Sequence, residues 1–155
     1  MRIISSIEEA LEAAAAIGEE LGVSDWITVD QDRIDAFAGS TGDHQWIHVD
    51  VDRARTESPY RSTIAHGFLT LSLIPALSKA NYRVDNAKMG INYGLNRVRF
   101  LSPVPAGSRV RVRSELVDAA KVNDATVDLT VRHTVELDGS EKPAAVAELI
   151  ARMVF

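Results

Sequence analysis

The fold is decided by residues 67–77, which read Gly67-Phe68-Leu69-Thr70-Leu71-Ser72-Leu73-Ile74-Pro75-Ala76-Leu77. Only Thr70 and Ser72 interrupt this apolar run, and the spacing predicts a helix over residues 66–79. A helix that is apolar nearly all round is typical of a protein core. Pro75 lies inside the run, and we expect it to kink the helix or to end its regular part, because proline lacks the backbone N–H.

The second half of the chain changes to a period of two, which is typical of antiparallel strands with one packed face. Two long segments alternate in this way, and residues 144–155 predict a last strand. Residues 103–107 and the pair Asp138-Gly139 supply the turns. The sets predicted to face the core are Val110, Val112, Ser114 and Leu116 in the first segment, and Val127, Leu129, Val131, His133, Val135 and Leu137 in the second.

A buried helix beside a sheet with one apolar face defines an α+β domain. The simplest packing wraps the antiparallel sheet around the helix of residues 67–77. The length of 155 residues fits one domain, residues 1–155, with one core.

The first half of the chain predicts short helices and irregular segments. A capping box at Ser5 and Glu8, or at Ser6 and Glu9, starts a helix that ends near Gly22. The residues predicted to share one face of this helix are Ile7, Leu11, Ala14, Ile17 and Leu21. We next predict a strand at residues 26–29 and a helix that contains Ile34 and Phe37 and is capped by Asp30 or Asp32. A loop at residues 39–48 and a short helix capped by Asp50 and ended by Pro59 follow.

Composition restricts the classes of function. The net charge of −5 argues against nucleic acid as a partner, because phosphate binding needs a basic surface. The chain has no cysteine, so disulfides and thiolate nucleophiles are excluded. No apolar run approaches the roughly 20 residues that span a bilayer, and the start of the chain lacks the pattern of a signal peptide. We therefore expect a cytoplasmic protein with no membrane partner.

Asp43 and His48 form the first candidate for chemistry, because they place a carboxylate and an imidazole five residues apart. Taken singly, Asp43 is typical of a turn cap and His48 of a hydrogen-bonding loop residue. Their neighbours Phe37, Trp46 and Ile47 are apolar and can exclude water. A carboxylate and an imidazole that share one water molecule provide a base and an acid together.

The pair His66-Gly67 at the start of the apolar helix is the second candidate. The first turn of a helix offers unpaired N–H groups and the positive end of the dipole, which would stabilise a carbonyl oxygen that becomes enolate-like. Two alternatives remain open at this point. Gly67 could instead allow close packing of the helix, and His66 is typical of a residue beside an N-cap that bonds the backbone, not of a catalyst.

The sequence gives little support for a metal site, a serine nucleophile or a phosphate loop. The four histidines, His44, His48, His66 and His133, lack a helical pair with a third ligand nearby, so no metal site is predicted, and His133 is interpreted as a core residue. There is no G-x-S-x-G elbow and no phosphate loop. Arg83, Lys88, Arg97 and Arg99 form a basic stretch, which is either a solvated strand edge or a contact for the phosphates of coenzyme A.

These motifs resemble the hydratase 2 motif of the MaoC-like (R)-specific enoyl-CoA hydratases, and most of all their nodulation protein N-like subgroup. The resemblance is carried by residues 41–48 (Thr-Gly-Asp-His-Gln-Trp-Ile-His), residues 64–69 (Ile-Ala-His-Gly-Phe-Leu), and residues 98–104 with Gly107. It covers the chain from about residue 34 to residue 155. Many hydratases of this type have Asn-Pro where this chain has Gln45-Trp46, and some have a serine at the position of Pro75.

The resemblance implies a hot-dog fold, in which a long antiparallel sheet wraps a central helix, and a homodimer with acyl chains bound near the subunit interface. It implies the reversible hydration of trans-2-enoyl-CoA to (R)-3-hydroxyacyl-CoA, without a cofactor other than the coenzyme A thioester of the substrate. By position, Asp43 and His48 match the catalytic pair. Gly67 matches the residue whose N–H faces the thioester carbonyl, and Gln45, Trp46, Ile47 and His66 fall in the same motifs around the substrate.

Two rival functions remain open from the sequence. Hot-dog domains also host acyl-CoA thioesterases, and fold alone does not fix function. The chain could also be a non-catalytic module that binds acyl-CoA. The presence of both Asp43 and His48 favours a hydro-lyase over either alternative.

Overall fold

The computed structural model describes residues 1–16 and 18–155. None of the helices in this part of the chain is long and apolar enough to cross a membrane. The strands are β1 (Arg2–Ile4), β2 (Glu19–Val23), β3 (Ile27–Val29), β4 (Tyr82–Val84), β5 (Met89–Phe100), β6 (Ser108–Asn123), β7 (Thr126–Leu137) and β8 (Ala145–Val154). The helices are α1 (Ile7–Ala15), α2 (Gln31–Thr41), α3 (Trp46–Val49), α4 (Val51–Glu57) and α5 (Gly67–Ser78).

The main sheet is antiparallel and has the order β2-β6-β7-β8-β5, with β3 also paired to β6. A second, two-stranded sheet pairs β1 with β4 in parallel. The two alternating segments of the sequence are β6 and β7, and the last predicted strand is β8. The predicted packed face is confirmed, because Val110, Val112, Leu116, Val127 and Val131 are all at most 1% exposed.

Helix α5 lies against the inner face of this sheet. Its Leu69, Leu73, Ile74 and Leu77 share one apolar cluster with residues of β6, β7 and β8. A second cluster joins α1 and β2 to the other half of β6 and β7. This arrangement confirms the expected α+β architecture, in which a long antiparallel sheet wraps a central helix.

Helix α5 differs from its prediction in how much of it is buried. Its burial is one-sided, because Phe68 is 70% exposed and Ser72 is also exposed. The expectation of a helix buried nearly all round was therefore wrong for a single chain. The helix covers nearly all of the predicted range and runs through Pro75 to Ser78, so the proline does not end it. Packing of Ile74 and Leu77, on either side of the proline, outweighs the loss of one backbone hydrogen bond.

The first helix is shorter than predicted. Ser6 caps α1, since its hydroxyl accepts a hydrogen bond from the Glu9 N–H at 3.2 Å, which confirms the expected cap at Ser6. The Glu9 carboxylate accepts from the Ser5 N–H at 2.7 Å and not from Ser6, as a complete capping box would require. The helix ends at Ala15, and Leu21 lies on β2, where it is buried. Pairing of β2 with β6 replaces the last predicted helical turn, and Ile17 lies outside the described residues.

The predicted loop at residues 39–48 is partly helical. Helix α2 continues to Thr41, where the hydroxyls of Ser40 and Thr41 donate to the carbonyl oxygens of Ala36 and Phe37, at 2.9 and 2.8 Å. A further short helix, α3, begins at Trp46. The caps were predicted correctly: Asp30 begins α2, Asp50 begins α4, and α4 ends at Glu57.

His133 lies in the core, as predicted, within a small polar network. Its Nδ1 is 3.0 Å from the Ser114 hydroxyl, which accepts a hydrogen bond from the Asn81 side-chain amide at 2.7 Å. All three side chains are fully buried. Burial lowers the pKa of His133 to about 4, because the charged imidazolium loses its hydration.

Because His133 is buried as a neutral ring, we predict that the free energy of unfolding decreases at low pH. The folded pKa lies below the usual value of 6.5, so the neutral ring contributes stability that is complete above pH 6.5 and is lost as the pH falls towards 4. The loss at pH 4 is about 3 kcal/mol. Urea unfolding of wild type and of His133→Gln, at pH 7 and pH 4, measures it. The variant should lose less stability on acidification, and an equal loss in both proteins would contradict the assignment.

Candidate active site

The candidate site lies where α5 begins and the segments of α2 and α3 come close to it. His48, on α3, is buried, and its Nδ1 lies 2.6 Å from the carbonyl oxygen of Ile64. Because a carbonyl oxygen only accepts, Nδ1 carries the proton and donates. The other ring nitrogen, Nε2, is then left with a lone pair that can take a proton.

Gln31 holds the backbone of His48 in place. Its side-chain amide donates to the His48 carbonyl oxygen at 2.8 Å, and its own oxygen accepts from the Thr63 hydroxyl at 2.5 Å. Sequence reasoning did not identify Gln31. The residue stands at the first position of α2, where a polar side chain is ordinary, so no sequence signal separates it from a surface glutamine.

Asp43 follows Gly42, which closes α2 in the left-handed conformation with φ of 79°. One carboxylate oxygen of Asp43 accepts from the Gln45 N–H at 3.3 Å, so the turn-capping interpretation is realised for that oxygen. The Asp43 side chain is exposed. A carboxylate oxygen of Asp43 and a nitrogen of the His48 ring lie within 4.8 Å of each other, close enough for one water molecule to bridge them.

His66 lies beneath this pair at the N-cap of α5. Its Nε2 is 3.0 Å from the backbone carbonyl oxygen of Asp43, and its ring stacks on that of His48 with centroids 3.8 Å apart and an interplanar angle of 24°. The ring of Phe37 covers His66 at 4.9 Å. The two segments that the sequence singled out are therefore adjacent in the structure.

A cavity of about 390 Å³ opens beside the start of α5 and is lined by His48 and Gly67. Backbone N–H groups of Gly67 and Phe68 have no hydrogen-bond partner within residues 1–16 and 18–155, as expected for the first turn of a helix. A Cβ added to Gly67 would lie 3.0 Å from the ring of Phe100. Gly67 thus packs closely against Phe100, as the close-packing interpretation predicts, and its N–H has no hydrogen-bond partner in the part of the chain that the structure describes.

The remaining predicted residues lie at the margin of the site. Gln45 is exposed and makes no cap hydrogen bond, and Trp46 stacks under the guanidinium of Arg53 at 4.2 Å. Ile47 accepts through its carbonyl oxygen from the Ile64 N–H at 3.0 Å. His44 precedes α3, so it shares no helical face with His48. Residues of the cavity wall that sequence reasoning missed are Tyr60, Thr70, Phe100, Leu101, Ser102 and Ala144.

A metal ion is the alternative occupant of this cluster, because Asp43, His48 and His66 each offer one ligand atom within 4.8 Å of the others. The two rings are stacked, so their in-plane lone pairs run side by side and do not converge on one point, as a tetrahedral ion requires. The arrangement suits a water molecule between the carboxylate and one imidazole better than an ion held by both rings.

Comparison with known proteins identifies the family. Residues 12–137 match the family model described as MaoC like domain, and this chain belongs to that family. It is 53% identical over 149 residues to 3-hydroxyacyl-thioester dehydratase Z of Mycobacterium tuberculosis (strain ATCC 25618 / H37Rv), covering 96% of this chain and 98% of that protein. It is 48% identical over 145 residues to Nodulation protein N of Rhizobium leguminosarum bv. viciae, covering 93% and 90%.

The fold agrees with this assignment. The (R)-hydratase from A. caviae involved in PHA biosynthesis superposes with a TM-score of 0.69 at 21% identity, over 87% of this chain and 94% of that one. The resemblance to MaoC-like proteins, including the nodulation protein N-like subgroup, is therefore confirmed, and so is the hot-dog arrangement of sheet and helix.

Proposed function

We propose that this protein is a hydro-lyase that adds water reversibly to trans-2-enoyl thioesters and forms (R)-3-hydroxyacyl thioesters. The observation that carries the proposal is the approach of the Asp43 carboxylate to the His48 ring, within 4.8 Å, at the start of α5, where the Gly67 N–H is free. The dehydratase named among the relatives and the (R)-hydratase that shares the fold support the same reaction class and stereochemistry.

The reaction follows from the geometry. A water molecule between Asp43 and His48 loses one proton to the pair as its oxygen bonds to C3 of the enoyl thioester, and the pair delivers a proton to C2. The thioester oxygen carries the charge between these events, and the Gly67 N–H stabilises it. In this proposal the acid and base roles belong to the pair of Asp43 and His48 and not to either side chain alone.

The coenzyme A part of the substrate fits the edge of the main sheet at β5. Arg97 and Arg99 are exposed and border a cavity of about 280 Å³ together with Leu101, and Leu101 also lines the cavity beside Gly67. A phosphate at these arginines would therefore be continuous with the candidate site. No step of the reaction requires a further cofactor.

An apolar groove follows α5 away from Gly67 and suits an acyl chain. Leu71 and Pro75 of α5 face Leu95 of β5 across a cavity of about 290 Å³. A larger one, about 520 Å³, continues from Pro75 to Tyr82 and Met153. These cavities contain none of the candidate catalytic residues, and we propose that they take the hydrocarbon part of the substrate.

We infer that the protein is a homodimer joined along β5. This strand is the edge of the main sheet and exposes four large apolar side chains, Met89, Ile91, Tyr93 and Leu95, each by 43% or more. A long apolar edge is an aggregation risk unless a second strand covers it. Pairing with a second copy would also cover the groove beside α5, near which the acyl chain is proposed to bind.

The single MaoC-like domain expected for residues 1–155 is supported by the two apolar clusters, since both include residues of β6 and β7. The cytoplasmic location stays a prediction.

Hydration is tested with crotonyl-CoA and a longer trans-2-enoyl-CoA, in the presence of EDTA, by the absorbance of the conjugated enoyl group. Wild type should consume this signal without releasing thiol. Asp43→Asn should lower turnover by about 10²–10⁴-fold, because the pair loses its carboxylate. Asp52→Asn, at a carboxylate that is 95% exposed, is the matched control and should behave as wild type. Thiol release would identify a thioesterase, and tight binding without turnover would identify a binding module.

Gly67→Ala tests the role of the helix start. The added methyl group would meet Phe100 at 3.0 Å, so the ring must shift beside the N–H that is proposed to hold the thioester oxygen. We expect kcat/KM to fall by about a hundredfold, with a melting temperature within about 4 °C of wild type. Gly39→Ala, where a Cβ meets nothing within 4 Å, is the control. Unchanged turnover in Gly67→Ala would remove Gly67 from the site.

Ile91→Lys tests the dimer. A charge at the middle of the apolar edge should raise the dimer dissociation constant at least about tenfold, as measured by light scattering after size-exclusion chromatography. Val122→Lys is the matched control, because Val122 is exposed to a similar extent, 46% against 45%, but lies at the far end of β6. A wild-type protein that remains monomeric at micromolar concentration would refute the interface.

A further inference from the structure

His66 makes contacts that have no part in the proposed reaction. It is 3% exposed, and it connects the start of α5 to the loop that carries Asp43 through the 3.0 Å contact between its Nε2 and the Asp43 carbonyl oxygen. The carbonyl oxygen accepts, so Nε2 carries the proton. This contact acts on the backbone of Asp43 and does not involve its carboxylate.

The two stacked histidines are therefore opposite tautomers. His48 is protonated at Nδ1, which donates to Ile64, whereas His66 is protonated at Nε2, which donates to Asp43. Each ring is fixed in its plane by one backbone carbonyl and by the stack at 3.8 Å. The position of the Asp43 loop and the plane of the His48 ring are thus coupled through one side chain.

The second nitrogen of His66 contributes no hydrogen bond to the fold. Its Nδ1 is buried and has no hydrogen-bond partner within residues 1–16 and 18–155. A phenyl ring would keep the stack on His48 and would not bury an unpaired nitrogen. A phenyl ring lacks the Nε2–H group that donates to the Asp43 carbonyl oxygen.

We propose that His66 is a positioning residue: its Nε2–H holds the Asp43 backbone, so that the Asp43 carboxylate and the His48 Nε2 face the same water molecule. This inference rests on the proposed function. His66 does not exchange protons with the substrate in this account, because Nε2 is occupied and the ring is buried. Its loss should therefore lower kcat and leave KM nearly unchanged.

Three substitutions separate the hydrogen bond from the stack. His66→Gln places an amide N–H where Nε2 stands, and His66→Asn has the same amide on a side chain too short to reach Asp43. His66→Phe keeps the stack and removes the donor. We expect His66→Gln to retain kcat within about fivefold, and the Asn and Phe variants to lose about a hundredfold with KM changed less than about threefold. Thermal unfolding identifies any variant that does not fold. If His66→Phe does not fold, the comparison of kcat between His66→Gln and His66→Asn tests the proposal without it.

Equal kcat values in the Gln and Asn variants would overturn the inference, and so would a Phe variant with the kcat of wild type. A readout independent of turnover comes from nitrogen-15 spectra of histidine-labelled protein, which should show His66 as the Nε2–H tautomer and His48 as the Nδ1–H tautomer. The reverse assignment for His66 would also overturn it. If wild type hydrates no enoyl thioester, the proposed function fails, whereas an active wild type with a flat His66 series refutes only the positioning role.

Discussion

The packing of one face of α5 against the inner face of the sheet is the interaction on which the rest of the structure depends. Leu69, Leu73, Ile74 and Leu77 are at most 9% exposed, and burying four such side chains contributes on the order of 10 kcal/mol, an upper figure because the unfolded chain is already partly compact. This packing fixes where α5 begins. The free N–H groups of its first turn, and His66 before it, are therefore held by the core and not by the loops around them.

The side chains proposed to react come to this fixed helix start from a less regular part of the chain. Asp43 and His48 lie on the connection between α2 and α4, and hydrogen bonds to backbone carbonyls attach that connection to its surroundings. Two of these bonds come from histidine rings and one from Gln31. This arrangement places a helix start held by the core, at Gly67, beside an exposed carboxylate, at Asp43.

The sequence was sufficient for the architecture, because periodicity reports which face of an element is buried. The alternation in β6 and β7, the apolar run of α5 and the caps at Asp30 and Asp50 all describe local physical requirements. The sequence predicted the structure less well where contacts between distant segments override the local preference for a helix or for burial. Leu21 has helical spacing with Ile7, yet its segment pairs with β6, and Phe68 reads as a core residue although one face of α5 remains open in the single chain.

For the site, the sequence indicated the residue types but not their mutual positions. The spacing of Asp43 and His48 and the glycine at the helix start predicted which groups could meet. The stack of His48 on His66 and the anchor at Gln31 depend on contacts between residues far apart in the chain, 18 positions for the two histidines and 17 for Gln31 and His48. No local pattern encodes such contacts, so only the folded structure shows that the His66 ring contacts both the His48 ring and the Asp43 backbone.

The central claim is that one site, formed by Asp43, His48 and the N–H of Gly67, binds the thioester for hydration. A crystal structure of Asp43→Asn with crotonyl-CoA tests it most directly. The account predicts the thioester oxygen within hydrogen-bond distance of the Gly67 N–H, with C3 between the residue 43 amide and Nε2 of His48. A thioester bound with its carbonyl away from Gly67, or in the cavity beside Tyr82 at the other end of α5, would contradict it.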